Sequence, residues 1–178
     1  IVVPGIGAHG ASPHRGRDPI VIGAQIVMAL QTIVAREVSP REPAVVTVGV
    51  FRAGNKRNVI GEEARLELTV RSDSGQTRTQ LLAAIERIAV NIGRAGGLPE
   101  SQLPYLELKG GVPVTENNAD LASQVLKAWS DELGEDILVA YEREGMGGED
   151  FPFFTQEPVI PSVYFSVGGT SQARFAAF

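Results

Sequence analysis

Apolar residues at alternating or helical spacing divide the first 109 residues into predicted strands and helices. The run Ile1 to Val3 indicates the end of a first strand. The segment Pro19 to Arg36 is apolar on most of its circumference, which predicts a helix buried on more than one side. A sheet on one side and a second subunit on the other would account for that burial.

The valine-rich segment Ala44 to Phe51 predicts a second strand. Residues 64–70 alternate between apolar and polar side chains, which indicates a sheet with one covered face and one wet face. Residues 76–92 carry apolar side chains at three-and-four spacing and predict an amphipathic helix, and residues 103–108 predict a last short strand. The order β-α-β-β-α-β predicts an α+β, ferredoxin-like domain with two helices on one face of a four-stranded antiparallel sheet.

Glycine and proline between Lys109 and Pro113 indicate a boundary. We therefore expect a first domain at residues 1–109 and a second segment at residues 110–178. The chain begins at Ile1, inside a predicted strand, and has no closing element at its end. We expect it to be a fragment of a longer protein.

The second segment predicts a helix at residues 120–133 and strands at residues 137–141 and 162–167, separated by a glycine-rich acidic loop. This order is typical of an α/β layer fold. Because the segment is too short to form such a fold alone, we interpret it as an incomplete part of an α/β domain.

The composition is that of an ordinary globular protein, with 43% hydrophobic and 21% charged residues. The net charge of -5 argues against nucleic acid or an anionic membrane as a partner. Polar side chains interrupt each apolar run, so no membrane-spanning segment is expected, and we expect a cytoplasmic location. The absence of cysteine excludes disulfides and thiolate chemistry.

Both histidines lie in one loop, five residues apart. His9 is flanked by small residues on both sides, which leaves room for another group to approach its imidazole. Asp18 and Pro19 then open the first helix as its N-cap and first residue. His9 and His14 alone are too few to hold zinc, which needs three or four ligands. The plainer interpretation is that both are ordinary surface residues.

This loop resembles the Gly-His-Gly-Ala-x-Pro-His-x-x-x-Asp-Pro-Ile motif of the di-metal amidohydrolases, which include hippurate hydrolases, aminoacylases and hydrolases of auxin–amino-acid conjugates. Later segments fit the same family in order and rough spacing: Arg57-Asn58-Val59-Ile60, Pro113-Val114-Thr115-Glu116-Asn117 and Met146-Gly147-Gly148-Glu149-Asp150-Phe151. The resemblance runs over nearly the whole chain but over only part of the length of the family's enzymes.

The resemblance implies that residues 1–109 are the lid, or dimerisation, domain of a metal-dependent amidohydrolase and that the rest belongs to the catalytic domain. It implies a homodimer formed through the lid domain, with His9 reaching the partner's active site to polarise the amide carbonyl of a small N-acyl amino acid. Loss of one such donor costs on the order of 3 kcal/mol. A pair of divalent metals, zinc or manganese, is implied for the intact enzyme, and none is expected to bind to this chain alone.

Further candidate residues carry open alternatives. The resemblance makes Asn58 a substrate contact, although a lone asparagine in a loop is usually a turn residue, and Gly61 replaces the family's proline and loosens the loop. Arg71, on the wet strand face, could bind a substrate carboxylate bidentately or be a solvated charge. The adjacent carboxylates Glu149-Asp150 could serve as acid–base or metal groups or cap the turn that follows them. The resemblance places their loop at the edge of the active site and makes Glu149 a substrate contact rather than a primary metal ligand. His14 is a candidate substrate contact for which a structural role in the loop is favoured.

A different class of function stays open at this point. A four-stranded sheet with an apolar helix face is also a common scaffold for a non-catalytic dimerisation or ligand-binding module. Bound metal together with amide hydrolysis would favour the enzyme, whereas an intact protein without metal would favour the module.

Overall fold

The computed structural model describes residues 1–138, 145–155 and 159–169. The chain forms two compact units, Ile1–Gly111 and Val112–Phe178. The first unit is an α+β domain with helices packed on one face of an antiparallel sheet, which confirms the predicted fold class.

The sheet of the first unit contains strands β1 (Val2–Pro4), β3 (Ala44–Ala53) and β5 (Glu63–Ser72) in the order β1-β5-β3. Both pairings are antiparallel, and a bulge in β3 lies between Val48 and Val50. The predicted alternation of β5 is confirmed: its apolar side chains face the helices and its charged ones face solvent.

The predicted fourth strand, residues 103–108, is reduced to a single bridge between Val2 and Tyr105. The two residues exchange backbone hydrogen bonds of 2.9 and 3.1 Å. The expectation of a regular strand was wrong because Pro104, next to the bridge, has no N–H to donate to a ladder. The segment still lies at the β1 edge of the sheet, where a fourth strand belongs.

Two helices cover the inner face of the sheet. Helix α1 spans Pro19–Thr32 and continues as a π-helical turn at Ile33–Glu37, so the predicted helix is confirmed. As predicted, Asp18 is its N-cap, with Oδ1 accepting a 2.9 Å hydrogen bond from the backbone N–H of Ile20. Helix α2 spans Gly75–Ala95 and begins at the N-cap Ser74.

The core lies between these helices and the sheet. Side chains from α1, α2, β1 and β5 fill it, with the following at most 3% exposed: Val3, Ile22, Ile26, Leu30, Ile33, Leu66, Leu81 and Ile85. Burying a large aliphatic side chain contributes roughly 1.5–3 kcal/mol, so this layer dominates the stability of the unit.

The other face of α1 is apolar and exposed. Ile20 is 42% exposed, Val21 53% and Met28 72%. The expectation of no segment long enough to cross a membrane was wrong for Pro19–Glu37, which by length and composition alone could do so: it has 19 residues and contains an 18-residue window with a mean hydropathy of 1.5. Its inner side chains instead fill the core, and 33% of that window is buried.

The second unit contains helix α3, Ala119–Leu133, which confirms the predicted helix there. Its N-cap is Asn118, whose Oδ1 accepts a 2.9 Å hydrogen bond from the N–H of Leu121. Trp129 on α3 packs edge-on against Phe165, with ring centroids 4.7 Å apart.

The strand predicted at residues 162–167 is absent, and this segment has no regular secondary structure. No strand pairs with it within the described residues; the side-chain amide of Asn117 instead bonds both backbone groups of Tyr164, at 2.9 and 2.7 Å. For the strand predicted at residues 137–141, Ile137 closes a 3-10 turn, Glu135–Ile137, and residues 139–141 lie outside the described residues.

Replacement of Leu81 by alanine tests the packing of α2 on the sheet. Leu81 is fully buried, and we expect Leu81→Ala to lower the free energy of unfolding by about 2–5 kcal/mol through lost burial and a residual cavity. Urea denaturation measures the change. Glu86→Ala, at an exposed position of the same helix, is the matched control and should stay within about 0.5 kcal/mol of wild type. Equal effects of the two substitutions would contradict the assigned helix orientation.

Candidate active-site loop and cleft

The His9 loop is held by a short antiparallel ribbon. Strand β2, Ala8–His9, pairs with β4, Val59–Ile60, so that His9 lies opposite Val59. The next residue, Gly10, donates a 2.8 Å backbone hydrogen bond to the carbonyl of Asn58. Two loops that are far apart in the sequence are thereby joined at the end of the sheet.

Glycine is required where these loops meet. A Cβ added at Gly10 would lie 3.2 Å from the backbone of Asn58, which is tighter than most real contacts. A Cβ added at Gly16 would lie 2.5 Å from the carbonyl oxygen of Ile6 and 2.8 Å from the Cβ of Ala8. The small residues of the loop therefore permit the close approach of backbone to backbone.

Arg17 fastens the end of the loop to helix α2. Its backbone exchanges two 2.9 Å hydrogen bonds with Ile6. Its side chain donates from Nε to the carbonyl of Gly97, 2.9 Å away, just past the C-terminus of α2. The sequence pattern did not single out Arg17, since nothing in its local spacing reveals a partner 80 residues away.

The imidazole of His9 is exposed, and its Nδ1 accepts a 3.1 Å hydrogen bond from the backbone N–H of Ala11. The backbone carbonyl of His9 accepts a 2.7 Å bond from the N–H of Ser12, which closes a tight turn. The ring is therefore held by its own loop, and its Nε2 has no hydrogen-bond partner within the described part of the chain.

A cleft of about 850 Å³ opens beside His9. Its walls come from the β2–β4 ribbon, the end of β3 and the start of β5, and its polar lining comprises His9, Arg52, Asn55, Glu62, Glu63 and Arg65. The volume is within the range of small-molecule binding sites, but the cleft is largely open to solvent rather than enclosed.

The arginines that line the cleft are paired. Arg52 forms a 3.1 Å ion pair with Glu67. Arg65 binds Glu63 at 2.6 Å and Glu107 at 3.1 Å. The hydrogen bond that the Arg65 guanidinium donates to Glu63 is the main cause that raises the pKa of Arg65 above its usual value. All of these side chains are solvent-exposed, so each pair contributes little to stability, but the pairing cancels most of the charge along the cleft.

Of the candidate residues, the structure brings together His9 and Asn58, through the Gly10 contact. His14 lies in the exposed 3-10 turn Pro13–Arg15. Arg71 is half-buried and pairs with Val45 at the opposite end of β5 from Glu63. At about 3.4 Å per residue, that places it roughly 20 Å along the strand from Arg65, the last residue of β5 that lines the cleft.

Glu149 lies in the second unit, on the loop before the 3-10 turn Phe151–Phe154. Its Oε1 accepts a 2.9 Å hydrogen bond from the N–H of Phe151 and a 3.3 Å bond from the hydroxyl of Thr115. In this structure the carboxylate thus caps the turn that follows it, which is one of the two roles expected from the sequence.

A metal centre would need a group of histidine or carboxylate ligands. Within residues 1–138, 145–155 and 159–169, no three such side chains are close enough together to hold an ion. The residues described here therefore do not fit a metal site, and the chemistry they offer is that of the exposed imidazole.

Comparison with known proteins adds to this geometry. Residues 1–96 match the family model of the peptidase dimerisation domain of the M20 type. The chain is 37% identical over 168 residues to N-acetyldiaminopimelate deacetylase of Leuconostoc mesenteroides, covering 94% of the chain and 42% of the relative. It is 35% identical over 161 residues to hippurate hydrolase of Campylobacter jejuni, covering 88% and 40%. The chain thus spans about two fifths of the length of these curated relatives.

Solved structures are similar over most of the chain. One is a protein described as an aminohydrolase from methicillin-resistant Staphylococcus aureus, with a TM-score of 0.75 and 30% identity, covering 88% of this chain and 39% of that one. Another is a dinuclear metal-binding peptidase of the M20 family from Bacillus subtilis, with a TM-score of 0.58 and 26% identity, covering 89% and 38%.

A methyl group at Gly16 tests whether the loop is as tightly closed as its contacts indicate. We expect Gly16→Ala to lower the free energy of unfolding by about 1–3 kcal/mol, because the added Cβ overlaps backbone that cannot move away freely. Gly75→Ala is the matched control, since its Cβ would meet no described atom within 4 Å beyond its own helix and chain neighbours. Chemical denaturation of both variants measures the difference; a Gly16→Ala protein as stable as Gly75→Ala would argue against the closed loop.

Proposed function

Because the chain belongs to the M20 peptidase dimerisation domain family, which it matches over residues 1–96, we propose that it is the lid and a following part of the catalytic domain of a metal-dependent amidohydrolase. In this proposal residues 1–109 form the lid and dimerisation domain, and residues 110–178 belong to the catalytic α/β domain. The reaction is hydrolysis of the amide bond of N-acyl amino acids or related small amides.

The observation that carries the proposal is the position of His9. Its imidazole is exposed at the edge of an 850 Å³ cleft, on a loop anchored by the ribbon, by Gly10 and by Arg17. A fixed N–H donor of this kind stabilises the negative charge that develops on an amide oxygen during hydrolysis, and it does so without moving. We assign this role to His9 and propose Asn58, which adjoins it, as a substrate contact.

The substrate class is supported by the relatives. The names of two relatives contain N-acetyldiaminopimelate and hippurate. Both compounds are N-acyl amino acids, so their shared feature is an amide beside a carboxylate. His14, Arg71 and Glu149 stay predicted substrate contacts. Because Arg71 lies far from the cleft along β5, its contact with a substrate at His9 of the same protomer is disfavoured.

We propose a homodimer formed through the lid domain. Strand β3 is at the edge of the sheet, and an edge strand offers backbone groups for pairing with a second chain. Next to it, α1 exposes Val21, Met28 and Val34, and a second copy would cover this apolar face. In such a dimer His9 acts in the active site of the partner subunit. The expectations of no nucleic-acid or membrane partner and of a cytoplasmic location stay predictions from charge and composition.

The proposed cofactor of the intact enzyme is a pair of divalent metals, zinc or manganese. A similar solved structure is described as a dinuclear metal-binding peptidase. The described residues of this chain form no metal-binding group, so the proposed role of this chain is to present His9.

A second candidate function is a non-catalytic dimerisation or ligand-binding module. The sheet covered by helices on one face and the exposed apolar side chains of α1 fit such a module, whereas the lack of a metal-binding group within the described residues is expected of both functions. Metal analysis of the intact protein, together with an assay for hydrolysis of hippurate-like amides, separates the two functions. Bound metal together with hydrolysis supports the enzyme. A protein with no bound metal and no hydrolysis supports the module.

Substitution of His9 tests the catalytic proposal. We expect His9→Ala in the intact protein to lower kcat by about 100- to 1,000-fold, the cost of one lost donor to the oxyanion, while the metal content stays that of wild type. Steady-state kinetics and elemental analysis measure the two quantities.

His14→Ala is the matched comparison, since it removes the other histidine of the same loop. We expect a much smaller effect, because His14 lies in the turn Pro13–Arg15 and, unlike His9, does not line the cleft. A His9→Ala enzyme with near wild-type turnover would refute the assigned role.

A charge placed on the exposed face of α1 tests the proposed dimer. We expect Met28→Glu to raise the dissociation constant of the dimer at least about 100-fold, since an unpaired carboxylate is costly to bury. Sedimentation measures the association. Ala83→Glu makes the same kind of change at an exposed position of α2 and should leave the dimer intact; a Met28→Glu protein that dimerises like wild type would exclude this face as the interface.

A further inference from the structure

We infer that the backbone amide of Ala11 sets the tautomer of His9, so that Nε2 carries the ring proton and Nδ1 does not. The Ala11 nitrogen lies 3.1 Å from Nδ1, with the N–H directed at the ring nitrogen. A neutral imidazole has one donor and one acceptor. Because Ala11 donates to Nδ1, a proton cannot also occupy that atom, and the donor is Nε2.

The position of the Ala11 amide is fixed from both sides. The turn that contains it is closed by the 2.7 Å bond between the N–H of Ser12 and the carbonyl of His9. The residue before it, Gly10, donates a 2.8 Å backbone hydrogen bond to the carbonyl of Asn58. The amide is therefore held by backbone contacts alone, independently of any bound substrate.

The chemical consequence concerns which nitrogen faces outward. Nδ1 points back into its own loop, whereas Nε2 has no hydrogen-bond partner within the described residues. An oxyanion needs a donor at the exposed nitrogen, and the tautomer set by Ala11 supplies one before the substrate binds. Ala11 is thus a positioning residue that acts through His9. This consequence rests on the proposed function of His9, but the tautomer itself does not.

Nuclear magnetic resonance on the intact protein, labelled with 15N-histidine and 15N-alanine, tests the tautomer directly. The measurement is made well above the pH range in which histidine ordinarily titrates, and the His9→Gln spectrum identifies the ring signals. We expect a scalar coupling across the hydrogen bond between the Ala11 nitrogen and Nδ1 of His9, and a proton on Nε2. His14 is the internal comparison and should show no such coupling.

Variants of Ala11 test the consequence. Ala11→Pro removes the N–H, and we expect it to abolish the coupling and to lower kcat about three- to tenfold, the equivalent of one neutral hydrogen bond. Ala11→Gly keeps the N–H and should retain the coupling and rescue the turnover lost in the proline variant. A proline variant that fails to fold does not affect the measurement on wild type, which decides the tautomer.

The outcomes separate this inference from the proposed function. A proton on Nδ1, or a ring that exchanges between tautomers as freely as His14, would overturn the inference even if His9→Ala is inactive. The coupling together with an active His9→Ala enzyme would support the tautomer and refute the catalytic role.

Discussion

The candidate site depends on one backbone constraint, the pairing of Ala8–His9 with Val59–Ile60. This ribbon is short, and it holds only because Gly10 and Gly16 let neighbouring chain segments approach more closely than side chains would permit. The loop therefore has its shape before any ligand is present. Such preorganisation is what makes a single imidazole effective, because no energy is spent on ordering it when the substrate arrives.

The regular elements of the first unit could be predicted from the sequence because their periodicity reflects burial on one face of a sheet. The alternation of β5 and the three-and-four spacing of α2 each leave a pattern that survives in the sequence alone. Periodicity failed at residues 103–108, where Pro104 breaks the ladder, and at residues 162–167, where no strand pairs with an apolar segment within the described residues. A strand forms only when two segments pair. The periodicity of one segment does not show whether a partner segment is present.

The candidate site was only partly predictable. The small residues around His9 and its family motif single out the histidine, but the contacts that orient it are made by the backbone of Ala11 and by the side chain of Arg17. The type of a residue does not show what its backbone amide contacts. The local sequence pattern does not show a contact with a residue 80 positions away. For Arg71 the residue type and the strand face fit a substrate contact. The residue nevertheless lies at the end of β5 that is far from the cleft.

The hydrogen bond between Arg17 and Gly97 also affects the order in which the chain folds during synthesis. Within this chain the histidine segment is synthesised before its partners at Asn58 and Gly97. Contacts that are distant in sequence form late because the intervening chain must first be ordered. The contacts that hold the loop around the reactive side chain are therefore complete only once the chain as far as Gly97 has been made.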